Sequence, residues 1–121
     1  MFRAELDESK TLLKITFGGC VGAAEAQRGA EQVAALLVKV KPGFRLLTDL
    51  NGLQQMDVSC EPAIDQVMEL CNRTGVSTVV RVIPDPQKDI GMNIMSLFHY
   101  GRGVRIVTCE SREEAARALG Q

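Results

Sequence analysis

The sequence is poor in the side chains that most catalytic and nucleic-acid-binding sites use. It contains no tryptophan, one tyrosine and one histidine, and aromatic residues make up only 4% of its 121 positions. Acidic and basic residues nearly balance, so the formal net charge is −1 and the basic excess of nucleic-acid-binding proteins is missing. With one histidine, acid–base catalysis has few candidate groups. We therefore expect a protein that is not an enzyme and has no nucleic-acid partner.

Long apolar runs are missing as well. No stretch approaches the roughly 20 apolar residues that a membrane-spanning helix needs. The segment Met1-Phe2-Arg3-Ala4-Glu5 places an acid before any apolar run, unlike a signal peptide. We therefore expect a cytoplasmic protein without membrane insertion. With 45% apolar and 24% charged residues, the composition indicates a single soluble domain over residues 1–121.

Closely spaced cysteine pairs are the third absence. Cys20, Cys60, Cys71 and Cys109 are far apart in the chain, and no C-x-x-C pair occurs. Structural zinc sites favour such pairs, and disulfides are rare in the cytoplasm. The sequence therefore predicts four free thiols, most of them buried, with no metal site and no cofactor.

Strand-like runs alternate with helical stripes along the chain. The apolar residues Ala26, Ala30, Val33 and Leu37 recur at helical spacing, whereas Val76 to Ile83 is rich in β-branched residues. The predicted elements are strands at Phe2 to Asp7 and Leu12 to Phe17, a helix at Ala23 to Val40, a strand at Arg45 to Leu50, a helix ending between Asn72 and Gly75, a strand at Val76 to Ile83, a helix at Asp89 to Tyr100, a strand at Val104 to Cys109 and a helix that Ser111 opens as a capping box with Glu114.

This order, ββαβαβαβα, predicts an α/β layered fold. The central sheet should be mostly parallel, with an antiparallel N-terminal hairpin at its edge that Gly18-Gly19 ends. The predicted core consists of Leu13, Ile15, Leu37, Leu47, Ile64, Val67, Val80, Val82, Ile94, Leu97 and Ile106.

The segment from Thr48 to Cys60 holds the strongest candidate for a functional site. After a short strand, Asn51-Gly52 favours a tight turn, and Asp57 and Ser59 precede an amphipathic helix. Ser59 is expected to be the N-cap of that helix, while Asp49 and Asp57 are expected to accept hydrogen bonds from nearby backbone N–H groups.

This segment resembles the STAS family of anti-sigma-factor antagonists and sulfate-transporter domains. Asp49-Leu50-Asn51-Gly52 stands where the family has Asp-Leu-Ser/Thr-Gly, and Met56-Asp57-Val58-Ser59-Cys60 stands where it has an apolar residue followed by Asp-Ser-Ser/Thr-Gly. Val58 and Cys60 depart from that pattern. The resemblance implies a STAS-like fold and a regulatory protein–protein interaction module. It also implies phosphorylation at Ser59 by a partner kinase, with Asp49, Asn51 and Asp57 shaping the site and a kinase or an anti-sigma-like protein as partner.

Two other interpretations are open. The segment Asp89 to Tyr100 has more apolar residues than one core face uses, and Met92, Met95 and Tyr100 fall off that face. They could bind a small apolar ligand or a lipid, or form an interface in a homodimer. The second alternative is a small enzyme that uses the carboxylates or Cys60, whose thiol could have a pKa lowered by the helix N-terminus.

Overall fold

The computed structural model describes residues 1–83 and 103–120. The strands are β1 (Phe2–Leu6), β2 (Leu12–Val21), β3 (Arg45–Met56), β4 (Thr78–Val82) and β5 (Arg105–Cys109), and the α-helices are α1 (Ala23–Leu37), α2 (Glu61–Thr74) and α3 (Arg112–Ala118). A one-turn 3-10 helix, Val58–Cys60, precedes α2. The predicted helix Asp89 to Tyr100 lies outside the described residues.

The five strands form one sheet in the order β1-β2-β3-β4-β5. β1 pairs with β2 in antiparallel orientation, and the other neighbouring pairs are parallel. A short turn, Asp7 to Thr11, joins β1 to β2, so the predicted edge hairpin is confirmed. The described elements confirm the predicted α/β class with a mostly parallel sheet.

Helices cover both faces of this sheet. Val33 of α1 and Val67 of α2 belong to a large apolar cluster with Leu13 and Leu46, on one face. Ala115 of α3 packs in a second cluster on the other face, with Val80 and Val82. We call these the α1/α2 face and the α3 face. The sheet is therefore the middle of three layers, and each layer follows from the apolar stripe of its helices.

Most of the predicted core residues within the described ranges are buried: Leu13, Ile15, Leu37, Ile64, Val67, Val80 and Val82. Two expectations are wrong, since Ile106 is 41% exposed and Leu47 is only partly buried. Ile106 ends the cross-strand row Leu13–Leu46–Val79–Ile106 on the edge strand β5, where a neighbouring strand lies on one side alone. Ile94 and Leu97 lie outside the described residues.

β2 and β3 are longer than predicted. β2 continues past Gly18-Gly19 to Val21, and β3 continues past Asp49 to Met56. Gly52 pairs with Gly18, and the register between the two strands shifts twice nearby. The predicted tight turn at Asn51-Gly52 is therefore wrong. Asn-Gly favours a turn only where the chain reverses, and here β2 offers a pairing partner that keeps it extended.

Candidate functional site

Ser59 lies on an exposed turn at the carboxyl end of β3. We call residues 57–60 the Ser59 turn. The Asp57 carboxylate accepts a hydrogen bond from the Ser59 backbone N–H at 3.2 Å, so Asp57 is the N-cap of the 3-10 helix. α2 itself begins at Glu61 and has Cys60 at its N-cap position, without a side-chain cap bond. The expectation that Ser59 is the cap is therefore wrong, whereas the predicted acceptor role of Asp57 is confirmed.

Buried neighbours anchor the Ser59 turn on both sides. Met56 and Cys60 are buried in the α1/α2 cluster, and the Asp57 N–H donates to the Val21 carbonyl at 3.4 Å. Between these anchors Val58 is 71% exposed and Ser59 is exposed. The Ser59 hydroxyl makes no hydrogen bond within residues 1–83 and 103–120. The turn therefore presents one apolar and one hydroxyl side chain to solvent on a well-anchored backbone.

Asp49 belongs to a different group of contacts. Its side chain is only 5% exposed, on the α3 face. One carboxylate oxygen accepts the Asn51 backbone N–H at 3.0 Å, and the other accepts a hydrogen bond from Arg112 Nε at 2.7 Å. The first contact confirms the predicted bonding of Asp49 to a nearby N–H group. The second adds a charge partner from α3.

The four predicted site residues do not come together in one place. β3 continues as a strand through residues 50–56 between Asp49 and Asp57, which spans on the order of 20 Å. β4 and β5 end level with Asp49, in the row Asp49–Val82–Cys109. Asp49 and Asn51 therefore lie with Arg112 near the middle of β3, whereas Asp57 and Ser59 lie beyond its far end.

Arg112 is the partner of a predicted site residue that sequence reasoning missed. Its position was predicted only as part of the capping box, and that motif is confirmed, because the Ser111 hydroxyl oxygen accepts the Glu114 N–H at 3.1 Å. The same cap fixes where α3 begins and so places Arg112 above Asp49. The sequence contained only part of the information needed to find this contact. A buried aspartate on a strand needs a cation or several hydrogen-bond donors, but no local pattern shows which arginine provides the cation.

Cys60 is not placed as a nucleophile. It is fully buried, and its thiol donates to the Val21 carbonyl at 3.5 Å. Burial raises the pKa of the Cys60 thiol, and the nearby Asp57 and Glu25 carboxylates raise it further. The expectation of a lowered pKa is therefore wrong, because desolvation outweighs the helix N-terminus here. The structure does confirm four free cysteines, with Cys20 as the exposed one.

The alternative site lies outside the described residues. Met92, Met95 and Tyr100, together with His99, fall between residues 84 and 102, so their role as a ligand or dimer surface stays a prediction. Within the described ranges, no cluster of three or more metal-ligating side chains occurs. α1, α2 and α3 are each too short or too polar to span a bilayer.

Comparison with known proteins concerns the fold. No family model and no curated protein matches the chain. The solved structure of the anti-sigma factor antagonist SpoIIAA in its unphosphorylated form is similar over 100% of both chains, with 15% identity and a TM-score of 0.67. An uncharacterised protein of the DUF3478 family from Shewanella loihica, described as having a SpoIIAA-like fold, is similar over 98% of this chain and 92% of its own, with 11% identity and a TM-score of 0.66. The predicted STAS-like fold is confirmed: the chain has the α/β fold of these SpoIIAA-like structures.

Proposed function

We propose that the protein is a non-enzymatic regulatory module that binds a protein partner through the Ser59 turn and is released by phosphorylation of Ser59. The observation that carries the proposal is the free, exposed hydroxyl of Ser59 beside the exposed Val58, on a turn anchored by buried neighbours. The fold supports it, since one similar structure is described as an anti-sigma factor antagonist in an unphosphorylated form. The partner is a kinase or an anti-sigma-like protein in the cytoplasm, and a second copy of the chain is a further candidate.

Phosphorylation would act through charge at this turn. A phosphate adds about −1.5 to −2 charges at pH 7. Two nearby donors are already used: Asp57 accepts the Ser59 N–H, and the Glu61 N–H donates to the Val58 carbonyl. The phosphate would therefore stand beside the carboxylates of Asp57 and Glu61 and stay at the surface. Folding should survive, while a partner that docks on Val58 would meet a new charge in its contact area.

The described side chains favour binding over catalysis. Cys60 is buried with a raised pKa, which removes the strongest candidate nucleophile. The Asp49 carboxylate is held by Arg112 and Asn51, an arrangement suited to ordering the strand. A general acid–base pair needs two groups within reach of one substrate. Asp49 and Asp57, separated along β3, do not form such a pair.

The test is a pull-down from the native cytosol with wild type, Ser59→Asp, Val58→Lys and Ser111→Asp. Ser111→Asp is the matched control, because it also adds one negative charge at a helix start but lies at α3. We expect Ser59→Asp and Val58→Lys to lose the partner and Ser111→Asp to retain it. Mass spectrometry of the protein from its own cells should find phosphate on Ser59. Retention of every partner by Ser59→Asp, with no phosphate on Ser59, would reject the proposal.

The free energy of unfolding distinguishes a regulatory Ser59 hydroxyl from one that caps a helix. Because Asp57 is the cap, Ser59→Ala should change the free energy of unfolding by less than about 0.5 kcal/mol. Ser111→Ala removes a cap bond that the structure shows and should cost about 1 kcal/mol. A large loss for Ser59→Ala would mean that the hydroxyl is structural.

A further inference from the structure

A concave surface lies at the opposite end of the sheet from the Ser59 turn. The β1–β2 turn and the segment between α1 and β3 line this pocket, which is open to solvent and has a volume of about 520 Å³. Its lining includes Lys10, Thr11, Lys39, Lys41, Pro42 and Phe44. We call it the lysine pocket. These residues precede β2 and β3, so the full length of β3, on the order of 35 Å, separates the pocket from the Ser59 turn.

Positive charge is concentrated in this pocket. It contains Lys10, Lys39 and Lys41, three of the five lysines of a chain whose net charge is −1. None of the three forms an ion pair or a side-chain hydrogen bond within the described part of the chain. Two acids lie in the same turn as Lys10: Glu8 is exposed, and the Asp7 carboxylate accepts bonds from the Ser9 hydroxyl and from two backbone N–H groups.

The backbone at Lys10 supports a role for its side chain. Lys10 has φ 59°, the one positive φ among the non-glycine residues that the structure describes. A side chain in the left-handed region costs roughly 1–2 kcal/mol, and glycine or asparagine would fit better. Lysines after a helix also offset its dipole, which accounts for Lys39 at the end of α1. That explanation does not apply to Lys10, which comes from a turn between two strands.

One wall of the pocket is apolar and preformed. Pro42 is exposed in the lining, and Phe44, only 2% exposed, belongs to the buried core and fixes the backbone next to it. The Gly43 N–H donates to the Gly75 carbonyl at 2.7 Å, and the Ser77 hydroxyl donates to the Gly43 carbonyl at 2.8 Å. The pocket volume is within the range of about 300–1,000 Å³ typical of small-molecule sites. The site therefore combines a fixed apolar wall with flexible cationic side chains.

We propose that the lysine pocket binds a phosphate monoester carried on an apolar body. The lysine ammonium groups would hold the phosphate, as compact charges with three donors each, and the apolar body would pack on Pro42. Such a group is present in soluble phosphate esters and in the headgroup of phosphatidic acid. The proposal is independent of the function of the Ser59 turn, because the two surfaces share no residue.

The test is a titration of the ¹⁵N-labelled protein with phenyl phosphate, followed by backbone chemical shifts. We expect saturable shifts in residues 9–11 and 39–44, and much weaker effects from phenol or inorganic phosphate alone. Lys10→Asn and Lys41→Gln should each weaken binding roughly tenfold, the loss of about one charge-assisted contact. Lys14→Gln is the matched control: Lys14 is an exposed lysine on β2 outside the pocket, and this variant should bind like wild type.

Stability and vesicle measurements complete the test. Asparagine adopts a positive φ at a lower energetic cost than lysine. The Lys10→Asn variant should therefore be at least as stable as wild type while it binds phenyl phosphate more weakly. Flotation with phosphatidylcholine vesicles, with and without phosphatidic acid, distinguishes a lipid headgroup from a soluble ester. Flotation that requires phosphatidic acid and Lys41 indicates the lipid headgroup. Binding of phenyl phosphate without such flotation indicates a soluble ester. The proposal is overturned if phenyl phosphate gives no saturable shifts in the pocket, or if Lys14→Gln weakens binding as much as Lys41→Gln.

Discussion

Arg112 Nε lies 2.7 Å from a carboxylate oxygen of Asp49, across 63 residues of sequence. The Asp49 side chain is almost fully buried, whereas 61% of the Arg112 side chain is exposed to solvent. The pair joins α3 to the middle of β3 at the level where β4 and β5 end. Within the described part of the chain, this one long-range contact and the Asn51 N–H offset the cost of burying the Asp49 carboxylate.

Substitution of Arg112 should therefore destabilise the fold. Arg112→Met keeps most of the apolar stem but leaves the Asp49 carboxylate without its cation. We expect the free energy of unfolding to fall by about 1–2 kcal/mol, below the full cost for a buried pair because Arg112 is largely exposed. Urea denaturation measures the change. Arg73→Met is the control: it removes an exposed pair with Glu69 and should cost less than about 0.5 kcal/mol.

The contact between Gly29 and Phe2 is the second test of the fold. A Cβ on Gly29 would overlap the Phe2 ring, which packs edge-on against Phe17 with centroids 4.6 Å apart. Gly29→Ala should cost about 1–3 kcal/mol, despite the higher helix propensity of alanine. In a Phe2→Leu background the same substitution should cost clearly less. Equal costs in both backgrounds, measured by thermal unfolding, would exclude the ring overlap as the cause.

The buried hydroxyl of Thr48 has no hydrogen-bond partner within the described residues, so its replacement should raise stability. Its side chain is in the middle of the sheet and only 2% of the residue is exposed. Thr48→Val keeps the shape and removes the unsatisfied group, and we expect a gain of up to about 1 kcal/mol in urea denaturation. Thr74→Val removes a bond that is made, to the Leu70 carbonyl at 2.8 Å, and should give no gain. A loss of stability in Thr48→Val would contradict this account.

Thiol reactivity should follow burial. Cys20 is exposed, while Cys60, Cys71 and Cys109 are buried. In the native protein without reductant, we expect a disulfide reagent such as dithionitrobenzoate to titrate one thiol rapidly, and Cys20→Ser should abolish that phase. After denaturation four thiols should react. A denatured count below four in freshly prepared protein would indicate a disulfide.

Stability should also depend on pH through Cys71. Burial raises the pKa of the Cys71 thiol from 9.0 to about 12. The unfolded chain then ionises first, so this contribution to stability is fully present below pH 9 and is lost as the pH rises from about 9 to about 12. The slope from this one group approaches about 1.4 kcal/mol per pH unit. Cys71→Ala should lower stability at pH 7 but give a shallower slope above pH 9; an unchanged slope would contradict the shift.

Local patterns in the sequence were sufficient for most of the architecture. The helical stripe at Ala26, Ala30 and Val33 is buried as predicted, and the Ser111 capping box forms. Asp57 accepts the backbone N–H expected of it. These features depend on contacts within a few residues of each other, or on which face of an element is apolar, so periodicity and turn chemistry predict them.

The candidate site was predicted only in part, because strand pairing sets the positions of its members. Asn51-Gly52 has the local chemistry of a turn, and only pairing with β2 keeps it in a strand. That longer strand moves Asp49 away from Ser59. The exposure of Ile106 likewise depends on its place on the edge strand, which its own apolar neighbours do not reveal.

By itself, the sequence determined the order of the described elements, the faces they bury and the free state of the cysteines, since these follow from side-chain period and composition. Tertiary structure alone decided that Arg112 neutralises Asp49 and that Lys10 joins Lys39 and Lys41 around one cavity. The physical reason is the same in each case. A charge or a hydroxyl acts through the groups that the fold brings within a few ångströms of it, and strand pairing sets those distances between residues that are remote in the chain.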